Sequence, residues 1–74
     1  MAVSNDTIAS VKVLNSMKGG DMIFVIGDGS DCYTKIADGI YKDQFYSHLY
    51  FGEIYSAEAL SQQMGNAVCQ IIYR

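Results

Sequence analysis

Apolar residues in this chain occur in short blocks separated by turns that contain glycine and aspartate. The central block, residues 21–39, predicts a strand, a tight acidic turn, a second strand and another turn. Residues 22–26 are apolar at every position, which is typical of a strand that is covered on both faces or lies centrally in a sheet. We therefore expect the rest of the fold to assemble around this hairpin.

The turns of the central block have recognisable local chemistry. Residues 27–31, Gly-Asp-Gly-Ser-Asp, combine glycines that adopt positive φ with short acids that cap turns. Residues 32–37 alternate between two faces, as in a strand with one wetter face. Asp38-Gly39 is a two-residue hairpin signal, so residues 40–42 should return as a third antiparallel strand.

The N-terminal segment supports two interpretations. Its cap-type residues and the roughly three-residue apolar spacing that follows favour a short helix capped near Asn5 or Asp6. The alternation of β-branched residues over 9–13 instead favours a strand. We predict the helix, because residues 18–20, Lys-Gly-Gly, supply the left-handed stop at which helices end.

The C-terminal third predicts a helix followed by a strand. Ser56 is a typical N-cap for a helix over residues 57–64, which residues 65–66, Gly-Asn, would end. The apolar face of this helix carries Ala57, Leu60 and Met64. At about two turns it cannot persist alone, so it should pack on the sheet. Residues 67–73 are almost entirely apolar and predict an inner strand.

These elements together predict an α+β fold. The expected order is α-β-β-β-α-β, with a small, mainly antiparallel sheet and the second helix packed across it. Residues 43–55 are compatible either with a further strand or with a long aromatic connection. No repeat or linker divides the chain, so residues 1–74 are expected to form one domain.

Small size raises the question of what stabilises the domain. A chain of 74 residues buries only about 60% of its unfolded surface, and such domains often depend on disulfides, metals or self-association. The two cysteines allow at most one bridge, and no apolar leader is evident, which favours a reducing cytoplasm with two thiols in the core over a disulfide. The surplus of apolar and aromatic residues favours a homodimer or higher oligomer.

Charge and hydropathy exclude two classes of partner. The net charge is −3 and the five basic residues are isolated, whereas a nucleic-acid binder normally has a basic face. Direct duplex binding is therefore not expected, and the acids are too sparse for a carboxylate array that mimics DNA. No apolar run approaches the roughly 18 residues that span a bilayer, so we expect no membrane partner.

Residues 27–31 do not match the known ion-binding loops. They lack the lysine and hydroxyl of a phosphate loop, and Cys32 stands where a calcium loop would need an oxygen ligand. Neither cysteine has a partner at zinc-ligand spacing, and the chain has one histidine. We expect a hairpin turn at this position, and no metal or cofactor.

Catalytic groups are sparse. His48 is a candidate general base because the pKa of histidine can lie near neutrality, but it needs a second group within reach, and its neighbour Ser47 would face the other way in a strand. Cys32 and Cys69 lie in apolar segments, where burial raises the thiol pKa and weakens a nucleophile. The sequence therefore predicts a non-enzymatic protein, with a small hydrolase that uses His48 as an alternative.

Aromatic residues between positions 45 and 55 form the best candidate binding site. Such rings supply contact area at low entropic cost and are enriched at interfaces, and they can also stack on bases. The alternative is that they complete the core of the protein or of its dimer. With the adjacent histidine, the candidate binding residues are Phe45, Tyr46, His48, Tyr50, Phe51 and Tyr55.

The layout of the chain resembles small, mostly uncharacterised bacteriophage-encoded accessory proteins. The matching features are an acidic turn at Asp28-Gly29, a Thr34-Lys35 strand, an Asp38-Gly39 turn, a Ser-x-Glu-x-Leu helix from Ser56 and a closing strand. This chain departs in having Lys-Gly-Gly at 18–20, where a Leu-Pro type turn is common, and in its aromatic insert at 45–55. The resemblance brings no catalytic residues with it.

A bacteriophage origin implies an accessory protein in the cytoplasm of an infected bacterium. Many such proteins bind and block a host machine, so the resemblance implies an inhibitor of a host protein, with an antiviral-defence component such as a CRISPR effector as the expected target. A second hypothesis is a protein that sequesters a small molecule such as a cyclic nucleotide, with tyrosine rings stacking on the bases and glycine amides contacting phosphate.

Overall fold

The fold is given by a computed structural model, which describes residues 2–43 and 54–74, and for residues 28–30 the backbone only. The described residues form a mixed α+β domain of seven strands and two helices in which strands predominate. In chain order these are β1 Ala2–Val3, β2 Thr7–Ile8, α1 Val11–Ser16, β3 Met22–Val25, β4 Asp28–Ala37, β5 Ile40–Asp43, β6 Ile54–Tyr55, α2 Ala57–Met64 and β7 Val68–Tyr73.

All strands belong to one antiparallel sheet with the order β1-β7-β3-β4-β5-β6, and β2 also pairs with β7. β1 and β2 form two halves of one edge. Ser4 lies between them, where its backbone N–H donates to the Ile71 carbonyl and its hydroxyl accepts from the Ile71 N–H. The inner position predicted for the C-terminal strand is confirmed, because β7 lies between this edge and β3.

The two central hairpins differ in how well they were predicted. The turn at Asp38-Gly39 is confirmed, since Ala37 pairs with Ile40 across it and Gly39 has a positive φ of 68°. The acidic turn predicted over residues 27–31 is wrong in position. The chain turns at Ile26-Gly27, where Gly27 has φ 87°, and the sheet resumes at Asp28, which pairs with Val25.

The N-terminal helix exists but begins later than predicted. Its N-cap is Ser10, whose hydroxyl accepts from the Val13 N–H at 3.2 Å, and not Asn5 or Asp6. The residues before it are drawn into the sheet as β1 and β2, because the exposed edge of β7 offers them backbone partners. The predicted left-handed stop is also wrong, since the helix ends at Met17 in an extended conformation.

The second helix matches its prediction closely. The Ser56 hydroxyl accepts from the Ala59 N–H at 3.1 Å, and Gly65 closes the helix with φ 58°. The buried residues are Ala57, Leu60 and Met64, as the apolar spacing predicted. Neither described helix has the length and apolar character needed to span a bilayer.

The core lies on one face of the sheet. The buried residues alternate along the inner strands, so that Ile23, Tyr33 and Ile71 are 0–3% exposed while their chain neighbours are half-buried. These side chains form one cluster with Leu14 of α1 and with α2. We call this the core face of the sheet, defined by Ile23, Tyr33, Lys35, Tyr41, Cys69 and Ile71.

The open face of the sheet as candidate functional site

The opposite side of the sheet, which we call the open face, is apolar and uncovered by the described residues. Strand register places six side chains in one row across the whole sheet: Val3, Ile72, Met22, Thr34, Lys42 and Ile54. A second row consists of Gln70, Phe24 and Cys32, and a third pairs Ile8 with Val68.

Exposure distinguishes the two faces. Val3, Val68 and Ile54 on the open face are 56%, 47% and 62% exposed, and the more central Met22 and Phe24 are half-buried. In an antiparallel fold, a sheet face that is exposed to water normally carries polar residues. Here the open face is apolar as well, which is unusual for a surface that stays in water.

The open face carries little charge. The three rows of side chains defined above include one cation, Lys42, which lies near the β6 edge of the sheet. At the opposite edge, the Gln70 amide donates to the Asp6 carboxylate at 2.9 Å. Most of the middle of the face is therefore uncharged, which suits contact with another apolar surface.

Cys32 lies near the middle of the open face, and Cys69 lies on the core face. They pair with adjacent residues of β3, Phe24 and Val25, so their side chains leave the sheet in opposite directions and both thiols are free. The expectation of two core thiols is therefore correct for Cys69, which is fully buried, and wrong for Cys32, which is half-buried.

The environment of both thiols makes them weak nucleophiles, as predicted. Burial, with a smaller contribution from Asp43, raises the pKa of Cys32. Burial also raises the pKa of Cys69, and the nearby Asp31 adds to this, while a hydrogen bond with the Ala9 backbone acts in the opposite direction. Both side chains are therefore protonated near neutral pH and poorly suited to attack a substrate.

The core face contains a polar cluster that is structural in its contacts. Lys35 is 4% exposed, and its Nζ donates to the Met17 carbonyl at 2.6 Å. Tyr41 donates its hydroxyl to the Leu14 carbonyl, and Asp21 accepts from the backbone N–H groups of Lys18 and Arg74. Lys35 and Tyr41 therefore satisfy carbonyls of α1 and of its C-terminal end, and Asp21 satisfies two backbone N–H groups.

Most of the predicted binding residues lie outside the described part of the chain. This applies to Phe45, Tyr46, His48, Tyr50 and Phe51, so the predictions that depend on them, including base stacking and catalysis by His48, stay predictions. Tyr55 is described. It lies half-buried in β6, and its ring contacts Tyr33 edge-on, with centroids 5.5 Å apart and planes at 87°.

Metal-binding groups can be assessed over residues 2–43 and 54–74. Within those ranges, no three histidine, cysteine, aspartate or glutamate side chains lie together in a way that would hold a metal ion. The backbone that was considered for an ion loop, residues 28–31, belongs to β4 and pairs in the sheet.

The sequence contains a signal for the open face. Residues 22–26 and 67–73 are apolar on both faces, yet the two described helices cover only one side of the seven-strand sheet. Apolar residues on both sides of a strand, in a chain with few helices, indicate a sheet face that the described residues leave uncovered. The sequence-based prediction of binding residues did not include the open-face residues Val3, Ile8, Val68 and Ile72.

Comparison with known proteins adds no relative. The chain matches no protein-family model, and no curated protein or solved structure is similar to it. The open face therefore supplies the main observation on which a function can be argued.

Proposed function

We propose that this chain is a small non-enzymatic binding protein that acts by covering part of the surface of another protein. The observation that carries this proposal is the open face, an apolar sheet surface in which Val3, Val68 and Ile54 are each about half exposed or more. Such surfaces are typical of protein-contact sites.

The proposed context is an infected bacterial cytoplasm, in which the chain would inhibit a host protein. This part rests on the resemblance to bacteriophage accessory proteins, and an antiviral-defence component such as a CRISPR effector remains the expected target. We take α2 to lie across the sheet as the rigid backing of the binding surface, an arrangement supported by the burial of Ala57, Leu60 and Met64 in the common core.

The contact residues for the target are proposed on the aromatic segment. They are Phe45, Tyr46, His48, Tyr50, Phe51 and Tyr55. Tyrosine and phenylalanine are enriched in the central part of protein interfaces, and this segment continues directly from β5 to β6 at one edge of the sheet.

The first experiment measures inhibition of defence. Bacteria that carry a CRISPR effector programmed against a plasmid are transformed with that plasmid, with and without expression of the chain. Inhibition would restore transformation, and the purified effector and chain should then co-elute in a fixed ratio. Restriction and nucleotide-signalling defences are tested in the same way.

Matched variants locate the contact. Phe45→Ala with Phe51→Ala should abolish inhibition, because interface rings supply a large part of binding energy. Gln62→Ala with Gln63→Ala changes two exposed side chains on α2 and should leave inhibition intact. If no defence system is inhibited and no effector forms a complex with the chain, the proposed target class is wrong.

A further inference from the structure

We propose that the open face is closed by a second copy of this chain, so that two sheets pack face to face in a homodimer. This rests on the proposed function in one respect, namely that the open face is a contact surface for protein. It deepens that proposal by naming a second copy as the protein on this face, and it leaves contact with the host target to the residues proposed for it above. The dimer would have a four-layer order of helices, sheet, sheet and helices, with the two open faces forming a second core.

Sheet topology favours association through the face over association through an edge. The edge strands β1, β2 and β6 have two residues each, and Ser4 interrupts the edge between β1 and β2 by bonding to Ile71. An edge this short offers few backbone partners to another strand. The face, by contrast, extends over every strand of the sheet.

The size of the face suits a dimer of this kind. Six strand positions at about 4.8 Å and inner strands of four to six residues at about 3.3 Å give a plan of roughly 500 Å². Two such faces bury about 1,000 Å² in total, which reaches the size of a specific interface. Packed sheets lie about 10 Å apart, a spacing that side chains such as Phe24, Met22 and Ile72 can fill.

The charges of the face also match a second copy. A two-fold axis between the sheets and parallel to the strands reverses the strand order of one copy over the other. The edge with Asp6 then lies over the opposite edge of the other copy, where β5 carries Lys42 beside the edge strand β6. Opposite charges meet at both rims while the uncharged rows meet in the middle, which is the arrangement expected of a complementary interface.

The experiment measures the mass of the untagged chain in solution across the micromolar range by sedimentation. The expected particle has twice the chain mass of 8.2 kDa. Met22→Lys with Val68→Lys puts two charges into the proposed interface at positions that are not buried in the single chain. We expect association to weaken by about 100-fold or more, because charge is depleted in interface centres.

The control variant adds the same charge elsewhere. Gln62→Lys with Gln63→Lys changes exposed positions of α2 and should leave the dimer intact. Far-UV circular dichroism of all three proteins shows whether each is folded.

A second measurement needs no variant and therefore no assumption about folding. Alkylation of Cys32 in the unmodified chain should slow as protein concentration rises, because the thiol lies near the middle of the proposed interface. Free cysteine added to the same sample serves as the internal reference, because its alkylation rate does not depend on protein concentration.

The outcomes separate this inference from the proposed function. A wild-type chain that stays at 8.2 kDa, with Cys32 alkylated equally fast at all concentrations, overturns the second copy. If that monomer still inhibits a defence effector and the lysine pair at 22 and 68 abolishes inhibition, the open face binds the target and the proposed function stands. A dimer that the lysine pair leaves intact also overturns the inference.

Discussion

Replacing Lys35 with methionine tests the most specific contact in the core. The side chain is 4% exposed, and its Nζ lies 2.6 Å from the Met17 carbonyl and 3.5 Å from the carbonyls of Leu14 and Asn15. The same Nζ lies 5.7 Å from the centre of the Tyr41 ring. Methionine keeps most of the apolar stem and removes the charge and all its hydrogen bonds.

The expected loss can be worked from these contacts. A hydrogen bond from a charged donor contributes about 1.5–3 kcal/mol, and only the 2.6 Å contact has favourable length, since 3.5 Å is at the limit of a hydrogen bond. The ammonium also lies at the C-terminal end of α1, where the helix dipole adds up to about 1 kcal/mol. Release of the buried charge offsets part of this. We expect a net loss of about 1–3 kcal/mol.

Urea unfolding followed by far-UV circular dichroism measures this loss. A domain of this length has a total stability of about 4–11 kcal/mol, so the midpoint should fall markedly while the slope stays the same. Lys12→Met is the matched control, because Lys12 is exposed on the same helix and should change stability by less than about 0.5 kcal/mol. If Lys35→Met is as stable as the wild type, the desolvation cost outweighs the bonds and the reasoning is wrong.

Three further predictions concern titration, capping and thiol reactivity. Burial, followed by Glu58 and Asp38, raises the pKa of Tyr41; the folded state then holds this proton more tightly, so stability is kept below the unfolded pKa of about 10 and lost as pH rises through the folded value. Urea midpoints above that pH should therefore fall less in Tyr41→Phe than in the wild type. Ser10→Ala and Ser56→Ala each remove an N-cap acceptor and should cost about 1 kcal/mol by the same unfolding assay; an unchanged midpoint would contradict the capping assignment. In dilute solution, mass spectrometry should show alkylation of the half-buried Cys32 well before the fully buried Cys69, and the reverse order would mean that the two faces are assigned wrongly.

Local chemistry explains why some elements were predictable. The two ends of α2 lie at Ser56 and Gly65. They were predictable because a cap hydroxyl and a positive-φ glycine act within a few residues of the helix that they end. Asp38-Gly39 specifies its hairpin for the same reason. The α+β class and the inner position of β7 were predictable from the apolar patterns of single segments, which can be read without knowing the distant contacts.

Other features depended on partners far away along the chain. The segment from Ala2 to Ile8 has the caps of a helix start, and it became an edge because β7, more than 60 residues later, offers free backbone groups to pair with. Lys35 lies in the strand that was expected to have one wetter face, and it is buried because the end of α1 presents carbonyls to its ammonium. Of the candidate site, the sequence predicted an excess of apolar surface, but it did not locate the open face.

By itself, then, the sequence determined those elements whose limits depend on neighbours along the chain, such as α2 and the turn at Asp38-Gly39. Tertiary structure decided which side of the sheet the two helices cover. Strands such as β3 and β7 are apolar on both sides, so their sequences do not show which side faces the core. Only the packing of Leu14 and Leu60 with Ile23 and Ile71 in one cluster makes one side the core and leaves the other uncovered by the described residues.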